Sequence, residues 1–314
     1  MAKEVKEVTF EEVLKKGINN VSAVLAEETT SQIIEYLSKR CYLRQLLPVI
    51  RAKSETIKIP KITGVIQAKA IGSAGSTIPE SDITFGSISV SVKKLGVLCK
   101  IPTEYDETAI VDIGRLVAED LARAIAEGEE EAFLLGDPDS YAAPDVKSMF
   151  TGLVKGAGTT VDKAKNELSK DDILNAIAKL NENNLGKNIG DLVLLCNPYV
   201  AAKIKGWSEV ITVDKYGPKA TIVTGEIGSI FGVKIIQTNF LARRDYSDSD
   251  NTQVSDVILF DRNEAAVIVD LRRMTIRKDY DITTDTNIIQ VTERIGFAVK
   301  RSEAIYVWKN VLSE

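Results

Sequence analysis

A chain of 314 residues without a single histidine lacks the side chain that most often shuttles protons near neutral pH and most often holds a transition metal. Histidine-activated nucleophiles and zinc-bound water are therefore short of their usual parts. What remains are fragments of chemistry. Gly156-Ala157-Gly158 matches the start of a dinucleotide loop, but Val161 stands where the third glycine belongs and no strand-turn-helix context surrounds it. Residues 72–76, Gly-Ser-Ala-Gly-Ser, lack the Gly-Lys-Ser/Thr ending of a phosphate loop. Asp245, Asp248 and Asp250 could offer oxygens to calcium, yet the twelve-residue ligand pattern is missing and a solvated polar loop over 243–253 is the simpler reading. Cys41, Cys99 and Cys196 are widely spaced in apolar settings and read as buried free thiols. The densest carboxylate set is Glu119, Asp120, Glu127, Glu129, Glu130 and Glu131, which reads as the solvated or subunit-contacting face of a helix.

That helix is the most regular element in the sequence. Over 109–135, Ile113, Val117, Leu121, Ala124, Gly128, Ala132 and Leu135 recur at three- and four-residue steps, which predicts one apolar stripe against a core. A capping box at Thr9 and Glu12 predicts a short helix to residue 16, and a second helix over 30–47 ends before Pro48. Ser169 with Asp172 predicts another helix start, and Asn197-Pro198 a third. Strands are expected at 192–195, 210–213, 221–223, 233–237, 257–260, 265–269, 274–277, 288–292 and 304–308. The fold class is α+β.

Residues 53–102 read as two alternating strands joined by a small-residue tip, 68–82. Thr56 to Ile59 alternates polar and apolar, Ser87 to Val92 does the same, and Leu95, Val97, Cys99 and Ile101 continue on the opposite parity. Strands of this length reach on the order of 30 Å at their rise per residue, and a lone two-stranded hairpin is marginal in water. The ribbon is therefore expected to find its missing surface on neighbouring copies of the same chain.

Composition, 44% hydrophobic and 27% charged, suits a globular protein with a substantial core. No apolar run approaches the roughly 20 residues of a membrane span, and Met1-Ala2-Lys3-Glu4 opens no signal-peptide core, so a cytoplasmic origin and no membrane partner are expected. A formal charge of −5 offers no clustered basic footprint for sequence-specific nucleic-acid binding.

The order of hairpin, long helix and mixed domain resembles the major capsid proteins of tailed bacteriophages with the Hong Kong ninety-seven fold. Residues 85–104, Phe-Gly-Ser-Ile-Ser-Val-Ser-Val-Lys-Lys-Leu-Gly-Val-Leu-Cys-Lys-Ile-Pro-Thr-Glu, are similar to that family's return strand into its spine helix, and 124–137, ending Ala-Phe-Leu-Leu-Gly-Asp, to the end of the spine. Leu194-Leu195-Cys196-Asn197-Pro198 and Ile230-Phe231-Gly232-Val233-Lys234-Ile235-Ile236 resemble axial-domain signatures. Glu293-Arg294-Ile295 with Glu303-Ala304-Ile305 resembles the C-terminal strands.

The resemblance implies an N-terminal arm over 1–29, a peripheral domain over 30–52, 103–139 and 284–302, an extended loop over 53–102, an axial domain over 140–283 and a returning C-terminal strand over 303–314. It implies a structural protein without enzymatic activity or cofactor that forms hexamers, pentamers and an icosahedral head around double-stranded DNA. A separate scaffolding protein, or none, is expected in place of a built-in one, with a portal and a maturation protease as further candidate partners. The interface candidates on the loop are Ile66, Lys69, Ile71, Ile78, Glu80, Asp82 and Ile83. Some relatives link subunits by a lysine–asparagine isopeptide bond assisted by a glutamate. Here Asp285 and Thr292 stand at the asparagine and glutamate positions, so no such cross-link is expected. An encapsulin-like cargo compartment is the alternative shell, and a soluble two-domain enzyme or binding module the alternative of another class.

Overall fold

The computed structural model describes residues 42–62, 85–104, 113–182, 189–207, 226–247 and 250–313. The predicted helix at 9–16, most of the one at 30–47, the strands at 210–213 and 221–223, and Cys41 lie outside the described residues. The chain divides into two compact units. One comprises Met1–Gln45, Lys94–Glu130 and Arg272–Arg294; the other comprises Leu46–Lys93, Glu131–Leu271 and Ile295–Glu314. The elements mix helices and sheets as an α+β chain should.

The described helices are α1 (Tyr42–Leu46), α2 (Ile113–Leu135), α3 (Lys170–Glu182) and α4 (Pro198–Lys205). The strands are β1 (Val49–Arg51), β2 (Thr56–Ile62), β3 (Phe85–Ser91), β4 (Lys93–Pro102), β5 (Thr159–Asp162), β6 (Leu192–Cys196), β7 (Glu226–Ile230), β8 (Val233–Gln237), β9 (Arg244–Ser247), β10 (Asp250–Asp261), β11 (Ala266–Asp281), β12 (Thr286–Val299) and β13 (Ile305–Leu312).

The second unit is built on a seven-stranded sheet of order β5-β13-β10-β6-β8-β7, with β9 beside β10. Its centre follows from continuous apolar runs. All five residues of β6 are buried, and in β10 the run Val257, Ile258, Leu259, Phe260 is fully inaccessible, as expected for strands covered on both faces. Helix α3 packs on β13 and α4 on β7 and β8. Both predicted caps form. Ser169 Oγ accepts from the Asp172 amide at 3.2 Å while the Asp172 carboxylate accepts from the Ser169 amide at 2.8 Å, and Asn197 Oδ1 accepts from the Tyr199 amide at 3.0 Å with Pro198 opening the helix.

The expected break after α2 is a backbone closure. The amides of Gly152, Leu153 and Val154 donate to the carbonyls of Gly136, Phe133 and Leu134 at 2.8, 2.8 and 3.1 Å, which satisfies acceptors the helix end would leave open. A Cβ at Gly152 would stand 2.5 Å from the Gly136 amide nitrogen, so this crossing excludes any side chain there. Phe133 stacks on Phe297 at 4.8 Å, and Phe150 completes the cluster. Gly156 and Gly158, the dinucleotide fragment, are packing glycines: added Cβ atoms would stand 2.6 Å from Val299 Cγ2 and 2.7 Å from the Ser302 carbonyl oxygen.

Several sequence expectations are corrected. The 53–102 segment is not one two-stranded ribbon. It changes parity at Val92, β2 pairs only with β3 among the described residues, and β4 joins a four-stranded sheet of order β1-β11-β12-β4. The strands expected at 265–269 and 274–277 are one strand, β11. The 243–253 stretch holds β9 and the start of β10 instead of a free loop, with Gln253 opposite Asp245. Cys99 is half-exposed; only Cys196 is a buried thiol among the described cysteines.

Candidate assembly surface

In the first unit the α2 stripe differs from its prediction, and the difference is chemical. Ala124 is exposed and Gly128 half-buried, while Leu121, Ala122, Ile125, Ala126, Glu129, Glu130, Ala132 and Phe133 are buried in the C-terminal part of α2. Glu129 is 0% exposed. It accepts a two-pronged bond from Arg44 of α1, Nε at 2.6 Å and a terminal nitrogen at 2.5 Å, with Glu293 of β12 3.8 Å away. Glu130 accepts from the Leu43 amide at 3.3 Å. The solvated-face reading of these two carboxylates is therefore wrong: they bind α1 to α2. Buried pairs of this kind contribute little over an apolar substitute but cost about 3–5 kcal/mol when one partner is lost. They hold the element that leads directly into β1 and the ribbon. Of the remaining carboxylates, Asp120 and Glu127 are exposed beside Arg123, while Glu131 is half-buried 3.0 Å from Lys147.

The ribbon itself lies in the second unit. Ile57 faces Val90, Ile59 faces Ile88 and Lys61 faces Gly86, while Thr56, Lys58 and Pro60 oppose Ser91, Ser89 and Ser87. Period-two alternation thus makes one apolar face and one polar face. The polar face is exposed throughout. On the apolar face only Val90 is fully buried, 3.0 Å from where a Cβ on Gly296 would stand, and Ile57, Ile59 and Ile88 remain partly open. At the outer end Phe85 is 70% exposed. The root is closed by the Val92 amide donating to the Glu55 carbonyl at 2.9 Å. Seven residues a strand is about 23 Å of ribbon at the usual rise. Among the described residues no third strand pairs with β2 or β3, so each presents an open edge.

The seven loop residues singled out from the sequence, Ile66, Lys69, Ile71, Ile78, Glu80, Asp82 and Ile83, all lie outside the described residues. The strand residues Ile57, Ile59 and Ile88 were missed as interface candidates, although the alternation that puts them on one face was in plain view; Phe85 lies on the opposite face with Ser87 and Ser89. In the first unit the β11–β12 turn is tightly made: Tyr280 donates to Asp285 at 2.6 Å and Asp281 accepts from the Thr283 amide at 3.0 Å, leaving Ile282 83% exposed. Thr292 is buried and accepts from Arg272 at 3.1 Å.

These groups hold no reaction centre that the chain's chemistry could drive. Burial pushes the Cys196 thiol up to about 12, far from thiolate reactivity. Among the described residues no three His, Cys, Asp or Glu side chains are placed to hold a metal ion, and no helix is long and apolar enough to cross a membrane.

A body with a complete core that carries an amphipathic, edge-exposed ribbon defines a structural protein whose work is done at surfaces between copies. The chain belongs to the phage capsid family, whose family model matches residues 22–310. No curated protein sequence matches it. Its fold is similar to that of the capsid of a native GTA particle (TM-score 0.62, 13% identity, 86% of this chain and 89% of that one). It is also similar to a chain of Mycobacterium phage Che8 (0.60, 17%, 85% and 90%) and to the capsid of Cyanophage P-SCSP1u (0.59, 15%, 85% and 87%). The fold is the Hong Kong ninety-seven-type capsid fold, and the chain is a non-enzymatic major capsid protein, a virion component that associates with itself into a shell. The encapsulin-like alternative is not favoured.

Proposed function

We propose that this chain assembles in the host cytoplasm into hexamers and pentamers that close an icosahedral head, enclosing double-stranded DNA without sequence-specific binding. The formal charge of −5 supports a wall to which packaged DNA does not adhere. The observation that carries the assembly reading is the β2–β3 ribbon, amphipathic and without a third strand among the described residues. Its apolar face and the loop residues Ile66, Ile71, Ile78 and Ile83 become buried against an adjacent copy, with Lys69, Glu80 and Asp82 setting register. Exposed ion pairs contribute only about 0–1 kcal/mol each, so the isoleucines carry most of the contact. Many modest contacts per subunit add up through multivalency.

The arm over 1–29, the peripheral segments 30–52, 103–139 and 284–302, the axial segment 140–283 and the C-terminal strand 303–314 are the working divisions of the subunit. A separate scaffolding protein, a portal and a maturation protease complete the partners. Because Asp285 and Thr292 replace the residues an isopeptide bond needs, mature particles should run as one monomer band in denaturing electrophoresis, and a ladder would contradict this. Deleting residues 68–82 should leave soluble monomers or isolated capsomers by electron microscopy. Normal particles from that deletion would refute the role given to the ribbon.

A further inference from the structure

The unit that carries the ribbon also holds a cleft of about 400 Å³, and its charge is lopsided. Five lining side chains are cationic, Lys147, Lys155, Arg243, Arg244 and Lys309, against two carboxylates, Asp137 and Asp256. Three of the cations are already answered. Arg244 donates to Asp256 at 2.7 Å, Lys155 sits 3.3 Å from Asp137, and Lys147 lies 3.0 Å from Glu131, which is not part of the lining. Arg243 and Lys309 have no salt bridge among the described residues. The Arg243 guanidinium lies 4.1 Å from the centre of the Tyr199 ring, yet its buried Nε has no hydrogen-bond partner among the described residues. Two cations without a carboxylate partner leave the cleft with an excess of positive charge that a bound carboxylate would balance. Phe240, Leu241 and Val154 add apolar wall, and the volume suits a short peptide stretch better than a lone ion.

Candidates for the occupant can be read from the chain itself, since this protein associates with its own copies. Between Lys69 and Lys93 the only charged residues are Glu80 and Asp82, framed by Ile78 and Ile83. This segment joins the outer ends of β2 and β3, which stop at Ile62 and Phe85. Acidic, apolar-flanked and tied to the ribbon's far end, it complements a basic, apolar-walled cleft.

We propose that the cleft receives residues 78–83 of a second copy, with Glu80 and Asp82 meeting Arg243 and Lys309 and the isoleucines meeting Phe240 and Leu241. The pairing rests on the ribbon reading above and names its receptor. It fixes where a ribbon ends on its neighbour, a specificity for which paired charges are better suited than apolar area.

The test is a charge exchange in the full-length chain, read as particle yield by electron microscopy and light scattering. Glu80→Lys with Asp82→Lys should lower yield about tenfold or more, Arg243→Glu with Lys309→Glu should do the same, and the four changes together should restore yield to within about twofold. Restoration also shows that the reversed chains fold, and circular dichroism of each unassembled variant checks it directly. Full assembly of either reversed chain, or failure of the fourfold variant while both parents stay folded, would overturn the pairing. If that happens while the 68–82 deletion still blocks assembly, the ribbon reading stands and only the cleft is lost. If the deletion assembles normally, both fall.

Discussion

Strands β6 and β3 are of similar length, yet they have opposite fates. The run Leu-Val-Leu-Leu-Cys in β6 is buried at every position and bonded on both edges, by β10 and β8. The run Phe-Gly-Ser-Ile-Ser-Val-Ser in β3 alternates, bonds β2 on one edge, and buries only Val90. The first completes its burial inside its own unit. The second has an apolar face that its own chain leaves partly uncovered. An unbroken apolar run makes a core strand, and an alternation of serine with apolar residues makes a strand with one face left for contact.

The comparison can be broken most decisively by exchanging the damage. Ile59→Ser should cost the isolated subunit only about 1 kcal/mol, because the side chain is already half-open, yet it should stop particle formation at concentrations where the parent assembles. Leu194→Ala, in the buried centre of β6, should cost roughly 2–5 kcal/mol of subunit stability by its cavity. Urea melts of unassembled protein together with sedimentation velocity separate the two effects. A ribbon variant that melts early, or a core variant that assembles poorly while its melt is unchanged, would blur the distinction.

A smaller effect concerns the buried charges that hold α1. Arg44→Met should lower subunit stability by about 3 kcal/mol, at the low end for broken buried pairs because Arg44 keeps 16% of its side chain exposed. Coupling it with Glu129→Leu should recover part of the loss, since the apolar pair removes the charge stranded at position 129 while Glu293 still loses Arg44. A urea midpoint for Arg44→Met within error of the parent would show the pair to be ornamental.

The smallest expected effect lies at the start of α3. Partial burial opposes ionisation of Asp172, but hydrogen bonds from Lys163 and Ser169 outweigh it and hold the carboxyl below the usual carboxylate value. A depressed folded-state value contributes stability above the unfolded value and loses it as pH falls through the folded one. Asp172→Asn should therefore cost about 1 kcal/mol near neutral pH. The difference from the parent should shrink below about pH 4, where the carboxylate of the unfolded chain is protonated. Thermal melts at both pH values check the sign, and a difference that widens in acid would contradict it.

Much of this architecture could be read from the residues because local rules and packing agree. The alternation of Ser87 to Val92, the parity change beyond it, the Ser169 and Asn197 caps and the apolar run of β6 each state their geometry within a few positions. Glu129 and Glu130 could not be read this way. Helical periodicity counts charged residues as outward-facing, and partners distant in sequence, Arg44 for Glu129 and the Leu43 amide for Glu130, help make their burial tolerable. The range of the ribbon was overdrawn for a related reason: alternation shows that 93–102 is a strand, but not that β12 takes it as a neighbour. Arg243 lay in a stretch read as a polar loop, and its place in the cleft depends on residues more than 80 positions away in the sequence, such as Lys155.

The most direct measurement is amide hydrogen exchange on unassembled subunits and on particles of the same protein. Amides of β6 should be strongly protected in both. Those on the outer edges of β2 and β3 should exchange readily in the subunit and gain protection of at least about tenfold in the particle. Ribbon amides equally protected before and after assembly would contradict the claim that neighbouring copies complete its burial.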